Sequence, residues 1–66
     1  MQIIINGESK TVGEKLTAQQ LLQQLGIAEH KLALEINQVI VPRSTLSQHV
    51  IQPGDAVEII HAIGGG

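Results

Sequence analysis

Apolar and polar positions alternate at the start of the chain in a pattern that predicts a β-hairpin. Met1–Ile5 is short and rich in β-branched residues, as strands often are. Asn6-Gly7 follows, and this pair is typical of a type I′ turn because both central residues of that turn need positive φ. Ser9–Val12 is then the returning strand. Alternation with a period of two leaves Ile4 on the face opposite the other apolar residues of the first strand.

The segment LTAQQLLQQLGI, residues 16–27, carries the signals of one short helix. Thr17 is a typical N-cap, and Gln20, three residues later, completes a capping box. Gly26 suits the position just after the helix, where a left-handed conformation is common. Three leucines are spaced to form one apolar stripe on this helix: Leu21, Leu22 and Leu25.

Further strands are predicted in the second half of the chain, at Leu32–Ile36, Val39–Val41 and Ala56–Ile63. Asn37-Gln38 is a turn candidate between the first two of these strands. Gln52–Asp55 has the Pro and Gly placement of a type II turn, directly before the last strand.

The segment after Val39–Val41 breaks the alternation. Pro42 cannot donate a hydrogen bond to a β-ladder, so it ends this strand and favours a sheet edge. Residues 43–52 are then an irregular connection, in which Leu46 and either Val50 or Ile51 are expected to reach the core.

This order of elements predicts an α+β fold: a mixed four- to five-stranded sheet with one helix packed across one face. The first and last strands are the most apolar, so we expect them to lie side by side and parallel in the centre of the sheet. Residues 1–63 would form this domain, and residues 64–66 would form a flexible glycine tail.

Composition narrows the possible classes of protein. The 66 residues carry a net charge of −2 and no aromatic residue or cysteine. A nucleic-acid-binding protein usually has a basic patch and aromatic stacking residues, so that class is disfavoured. No apolar run approaches the ~20 residues that span a bilayer, and the start lacks the features of a signal peptide. We therefore expect a soluble cytoplasmic protein with no disulfide and no thiol chemistry of its own.

The polar residues do not predict a catalytic site. The three histidines, His30, His49 and His61, have no metal-ligand spacing among themselves or with an acid. The acidic residues are spread singly and are interpreted as solvated or turn residues. No serine lies in a Gly-x-Ser-x-Gly context, and the glycines at 64–66 are no phosphate loop because no strand-to-helix turn follows them. We expect a non-enzyme that binds no cofactor and no metal.

The last residues, Gly64, Gly65 and Gly66, allow two interpretations. They can be a frayed end without function, as terminal residues often are. Alternatively, a terminal glycine carboxylate is unhindered and its neighbours lack Cβ, so the tail can enter a narrow channel of another enzyme. There the carboxylate can attack the α-phosphate of ATP, and a sulfur nucleophile can then displace AMP from the acyl-adenylate.

The whole chain resembles ThiS-type sulfur carriers, which belong to the β-grasp or ubiquitin-like group. The resemblance includes MQIIING, LTAQQLLQQLGI, QPGDAVEII and the closing glycines. Its most specific part is ALEINQVIVPR, residues 33–43, where these sequences often carry an apolar-x-x-Asn-x-x-(Ile/Val)-Val-Pro-Arg pattern. The Gly-Gly end alone is less specific, because ubiquitin-like modifiers and the small subunit of molybdopterin synthase share it. A frequent family ending is Ala-Gly-Gly, whereas position 64 is glycine here.

The resemblance implies a carrier whose Gly66 carboxylate is adenylated with ATP by an E1-like partner resembling ThiF. Sulfur from a donor then converts the carboxylate to a thiocarboxylate, which a thiazole synthase similar to ThiG uses for the thiazole ring of thiamin. Gly65 carries over as the second tail residue, and Gly64 adds flexibility. A carrier for molybdopterin or cysteine synthesis, a ubiquitin-like protein modifier and an inert β-grasp module remain alternatives.

Two apolar residues of the predicted outer sheet face, Ile4 and Ile60, also have two interpretations. Scattered apolar residues on a surface need no function. If the first and last strands are neighbours, however, these two would lie near each other on an open face leading to the tail, as a docking patch for the activating enzyme. Arg43 is either a polar contact at the rim of this patch or a solvated residue. We expect the free carrier to be a monomer.

Overall fold

A computed structural model of the chain describes residues 1–28 and 32–61. Its elements are β1 (Gln2–Ile5), β2 (Glu8–Thr11), α1 (Ala18–Leu25), β3 (Leu32–Ile36), β4 (Val39–Val41), a 3-10 turn (Arg43–Thr45) and β5 (Ala56–His61). This order confirms the elements predicted from the hydrophobic pattern. Residues 62 and 63, which were predicted to extend the last strand, lie outside the described residues.

The strands form one five-stranded mixed sheet in the order β2-β1-β5-β3-β4. β1 and β5 are parallel, whereas the other neighbouring strands are antiparallel. This confirms that the first and last strands lie side by side inside the sheet. β4 is an edge strand, as Pro42 predicts, and β2 is the other edge.

The tight turns follow the local residues. Asn6 and Gly7 both have positive φ, 49° and 84°, as a type I′ turn requires. Asn37 and Gln38 have φ of 54° and 69°, so the second hairpin adopts left-handed conformations without a glycine. Gly54 has φ of 83°, which agrees with the type II turn predicted before β5.

Both ends of α1 are capped as predicted. The Thr17 hydroxyl accepts a hydrogen bond from the Gln20 backbone N–H at 3.1 Å, and the Gln20 side chain accepts one from the Thr17 N–H at 2.9 Å. Gly26 is left-handed and ends the helix. The apolar stripe is shorter than predicted, because Leu25, in the last turn, is 44% exposed. Ile27, which follows the glycine, packs against the core.

The core is entirely aliphatic and lies between α1 and one face of the sheet. Its most deeply buried side chains are Ile3, Leu21, Leu22, Leu34, Ile51 and Val57. Leu46 is buried as predicted, and Ile51 rather than Val50 reaches the core from the long connection. Because α1 covers this face, side chains on the opposite face of the sheet are directed away from the core. We call this opposite face the outer face.

Candidate functional site at the end of the last strand

β5 leads from the core of the domain towards the predicted reactive tail. It pairs with β1 on one side and with β3 on the other, and its Val57 and Ile59 side chains are buried. Asn6 makes two further hydrogen bonds to β5. Its backbone N–H donates to the Val57 carbonyl at 2.9 Å, and its side-chain oxygen accepts a hydrogen bond from the Ile59 N–H at 2.8 Å. β5 is therefore fixed as far as its end at His61. The tail residues Gly64, Gly65 and Gly66 lie outside the described residues.

The start of β5 is held by a buried carboxylate, that of Asp55. It accepts hydrogen bonds from the Asn37 side-chain amide at 3.0 Å and from the Gln52 backbone N–H at 2.8 Å. Asn37 in turn accepts a hydrogen bond from the Ala56 N–H at 3.0 Å. Asp55 does lie in the predicted turn, but it is buried rather than solvated. The sequence holds no local signal for this network, because Asn37 belongs to a different hairpin.

Ile4 and Ile60 both lie on the outer face of the sheet, and they are 41% and 48% exposed. The prediction that they lie near each other is wrong. The parallel register pairs Ile4 with Ala56 rather than with Ile60. At about 3.3 Å per residue, Ile60 lies roughly 13 Å further along the strand direction. Glu58 occupies the outward position between them.

Ile60 instead lies beside β3, where it pairs with Ala33. Ala33 lines a cavity of about 200 Å³ at the β3–β4 edge. Ile40, Leu46 and Arg43 also line this cavity. The structure thus places Ile60 and Arg43 at the same end of the sheet, and it separates Ile4 from them.

Ile40 is the most exposed apolar residue of the outer face on this side, at 65%. The sequence pattern did not single it out, because three apolar residues in a row at Val39–Val41 hide the alternation of a short strand. In the structure Ile40 pairs with Glu35, and this register places both side chains on the outer face.

Two of the acidic residues are direct neighbours across β3 and β5. Glu35 pairs with Glu58 in the antiparallel register, and both lie on the outer face. The expectation that the acids are spread singly is therefore wrong for this pair. The ion pairs among the described residues join the amino terminus to Glu14 and Lys10 to Glu8, and neither includes Glu35 or Glu58.

No group of histidine, cysteine or acidic side chains in residues 1–28 and 32–61 has an arrangement that could hold a metal ion. Within the same part of the chain, no helix has the length and apolar character needed to cross a membrane.

The sheet order and the single covering helix define a β-grasp domain, and comparison with solved structures confirms this fold. The crystal structure of the thiamine biosynthesis protein ThiS from Geobacter metallireducens superposes with a TM-score of 0.88. The two sequences are 32% identical, and the match covers 100% of both chains. The solution structure of a thiamine biosynthesis protein from the same organism gives a TM-score of 0.84 and is covered over 88% of its length.

The chain belongs to the ThiS family, whose model matches residues 3–66. It is similar over its whole length to the sulfur carrier protein ThiS of Escherichia coli K12, with 39% identity and complete coverage of both chains. It is also 41% identical to part of a thiazole synthase from Paramagnetospirillum magneticum and of another from Magnetococcus marinus. The chain spans 20% of the length of each of these two thiazole synthases.

Proposed function

We propose that this domain carries sulfur for the thiazole ring of thiamin, and that the carboxylate of Gly66 carries the chemistry. The observation that carries the proposal is the extent of the family match, which runs from residue 3 through Gly66. The full-length similarity to the Escherichia coli sulfur carrier supports the same function.

The proposed chemistry takes place at the carboxylate of Gly66. One carboxylate oxygen attacks the α-phosphorus of ATP in the active site of an adenylating enzyme, and pyrophosphate leaves. A donor that supplies sulfur at the oxidation level of sulfide then attacks the carbonyl carbon of the acyl-adenylate, and AMP leaves. The product is a thiocarboxylate, whose sulfur is passed on to the thiazole. The carrier contributes the carboxylate, and its partners contribute the catalytic groups.

In this proposal, the folded domain holds the strand from which the tail extends to the partner enzyme. In the proposal, residues 1–63 form the domain and residues 64–66 extend from it. Gly65 and Gly66 lack Cβ, so they fit a channel too narrow for a side chain. Gly64 adds conformational freedom at the start of the tail. The hydrogen bonds of Asn6 to β5 support this division, because they fix the strand from which the tail departs.

The proposal names two partner enzymes. One is an E1-like adenylating enzyme resembling ThiF, which uses ATP and the sulfur donor; the carrier itself binds no cofactor. The other is a thiazole synthase, and the two thiazole synthases that contain a related stretch support this choice. Because adenylation uses ATP, the proposal places the reaction in the cytoplasm.

The outer sheet face is proposed to dock the partners, with Ile4, Ile60 and Arg43 as contact residues. Ile4 and Ile60 offer exposed apolar side chains on this face. Arg43 lines the cavity at its β4 edge. Ile60 and Arg43 lie at the end of the sheet where β5 ends, whereas Ile4 lies beside the start of β5. We therefore expect Ile60→Asp to weaken partner binding more than Ile4→Asp does.

Adenylation of the tail tests the proposal. The carrier is mixed with ATP and a purified E1-like enzyme, and release of pyrophosphate is measured. We expect release with the wild-type carrier and none with a carrier that lacks Gly65 and Gly66. Gly64→Ala is the matched control and should stay active, because alanine keeps the usual family ending. Equal pyrophosphate release without the last two glycines would contradict a reaction at Gly66.

A further inference from the structure

We propose that thiazole synthase docks on one half of the outer sheet face, with a basic side chain placed at the Glu35–Glu58 pair and an apolar side chain placed against Ile40. We call this half the β4-side surface, and its outward residues are Ala33, Glu35, Ile40, Glu58 and Ile60. The inference rests on the proposed function, in which the carboxylate of Gly66 reacts. It adds which surface the partner covers and what chemistry the partner presents.

The register builds this surface from two rows that cross the strands. In the first row, Ile60 of β5 pairs with Ala33 of β3. In the second row, Glu58 pairs with Glu35, and Glu35 pairs with Ile40 on the edge strand. Because α1 packs on the other face of the sheet, these side chains are directed away from the core. Apolar and acidic groups therefore lie within one strand spacing of each other.

The acidic pair gives the surface its charge preference. Residues directly opposite each other in an antiparallel pair have Cβ atoms about 4.5–5.5 Å apart, and like charges at that distance repel. No ion pair in the described part of the chain neutralises Glu35 or Glu58. A guanidinium or ammonium group from a partner would interact with both carboxylates at once, so a cation is the group that this position favours.

Ile40 and the cavity beside it give the surface its apolar part. Ile40 is 65% exposed and lines the cavity of about 200 Å³ together with Leu46 and Ala33. A well-packed apolar side chain that removes such residues from water is the usual centre of a protein interface. The acidic pair alone would not define a docking site, but an apolar recess one strand away adds an independent reason for a protein partner.

The position of the tail argues that an enzyme acting on Gly66 covers this surface. Residues 62–66 follow the end of β5, and a chain of that length reaches at most about 17 Å. The active site that receives Gly66 must therefore lie close to the end of the sheet where Ile60 and the cavity lie. The opposite edge, β2, is polar, and its Lys10 is already paired with Glu8 at 3.5 Å.

The comparisons favour thiazole synthase as the enzyme that covers the β4-side surface. In Paramagnetospirillum magneticum and Magnetococcus marinus, a stretch 41% identical to this whole chain is part of a thiazole synthase chain. Covalent linkage keeps two domains at high effective concentration, and it is consistent with domains that must dock on each other.

Matched variants test the surface by isothermal titration of purified carrier into purified thiazole synthase. Ile40→Asp is compared with Val39→Asp, because Val39 is the next residue on the same strand, is 66% exposed and belongs to the other face. Glu58→Lys is compared with Glu8→Lys, which reverses an exposed acid on the polar edge. Circular dichroism and thermal unfolding of each variant establish that it is folded.

We expect Ile40→Asp and Glu58→Lys each to weaken binding on the order of tenfold, as loss of an interface hot spot does. The two control variants should stay within about twofold of the wild type. Raising the salt concentration should weaken wild-type binding and reduce the difference between wild type and Glu58→Lys, since the charge interaction is screened.

Three results would overturn the inference. One is that folded Ile40→Asp and Glu58→Lys bind thiazole synthase as well as the wild type does, and another is that they lose affinity only for the adenylating enzyme. Self-association of the wild-type carrier that Ile40→Asp abolishes, measured by sedimentation, would make a second copy the occupant. The proposed function is tested separately, because the wild-type carrier must form a thiocarboxylate whichever surface it uses for docking.

Discussion

The side-chain oxygen of Asn6 accepts a hydrogen bond from the backbone N–H of Ile59 at 2.8 Å, although the two residues are 53 positions apart in the chain. Asn6 lies at the tip of the first hairpin, and Ile59 lies two residues before the end of β5. The bond therefore joins the hairpin turn to the part of β5 that neighbours the tail. Asn6 has two tasks, since it also adopts the positive φ that the turn requires.

Variants at Asn6 should separate these two tasks. Asn6→Gly keeps the backbone conformation but removes the side-chain acceptor, so we expect a loss of about 1 kcal/mol in the free energy of unfolding. Asn6→Ala loses the acceptor and also places a Cβ in a left-handed conformation, which costs roughly 1–2 kcal/mol more. Urea denaturation measures both. Stability of Asn6→Gly equal to that of the wild type would show that the bond to Ile59 contributes nothing.

Asp55 should be more important for stability than its position in a turn implies. Asp55→Ala removes the carboxylate that accepts hydrogen bonds from the Asn37 amide and the Gln52 N–H. Both donors are partly buried, and they then lack this acceptor. We expect a loss of about 2–3 kcal/mol, because hydrogen bonds to a charged acceptor are stronger than average. Glu8→Ala, an exposed acid on the edge strand, is the control and should change stability by less than about 0.5 kcal/mol. Equal effects of the two substitutions in urea denaturation would contradict the importance of the network.

Two leucines of α1 should respond very differently to truncation. Leu22 is fully buried, so Leu22→Ala should cost about 2–5 kcal/mol through lost burial and the cavity that remains. Leu25 is 44% exposed, and Leu25→Ala should cost about 1 kcal/mol or less. The measurement is the midpoint of thermal unfolding of each variant. A Leu25→Ala variant as unstable as Leu22→Ala would mean that the stripe extends to the end of the helix.

The capping box should act as one unit. Thr17→Ala should destabilise the protein by about 1 kcal/mol, since the first turn of α1 loses a side-chain acceptor. Gln20→Ala removes the reciprocal bond to the Thr17 N–H and should cost less, because that group is exposed to water. A double-mutant cycle in urea checks the coupling. Fully additive effects would indicate that the two bonds are independent.

Features that depend on neighbouring residues were predictable from the sequence. The Asn6-Gly7 turn, the capping box of Thr17 and Gln20, and the turn at Gln52–Asp55 each depend on residues within four positions of each other. The parallel adjacency of β1 and β5 also followed, because the two most apolar strands were expected to lie side by side inside the sheet. Glycine and capping preferences act through local backbone geometry, so a single sequence shows them directly.

Features that depend on register between distant strands were not predictable. Ile4 and Ile60 were expected to be close, but the β1–β5 register separates them. The same kind of pairing brings Glu35 and Glu58 together, and no pattern within either strand indicates it. Register depends on how the whole core packs, which is a property of the folded chain. The role of the tail was predicted first from its three glycines and then from the family resemblance, and it stays a proposal.

The most direct test of the sulfur-carrier function is the mass of the intact protein. The carrier is incubated with ATP, an E1-like adenylating enzyme and a sulfur donor, and its mass is compared with that of the untreated protein. We predict an increase equal to the difference between one sulfur and one oxygen atom, located on Gly66 by fragmentation and absent when the last two glycines are removed. An unchanged mass with every adenylating enzyme and sulfur donor tried, or a mass increase located on another residue, would contradict it.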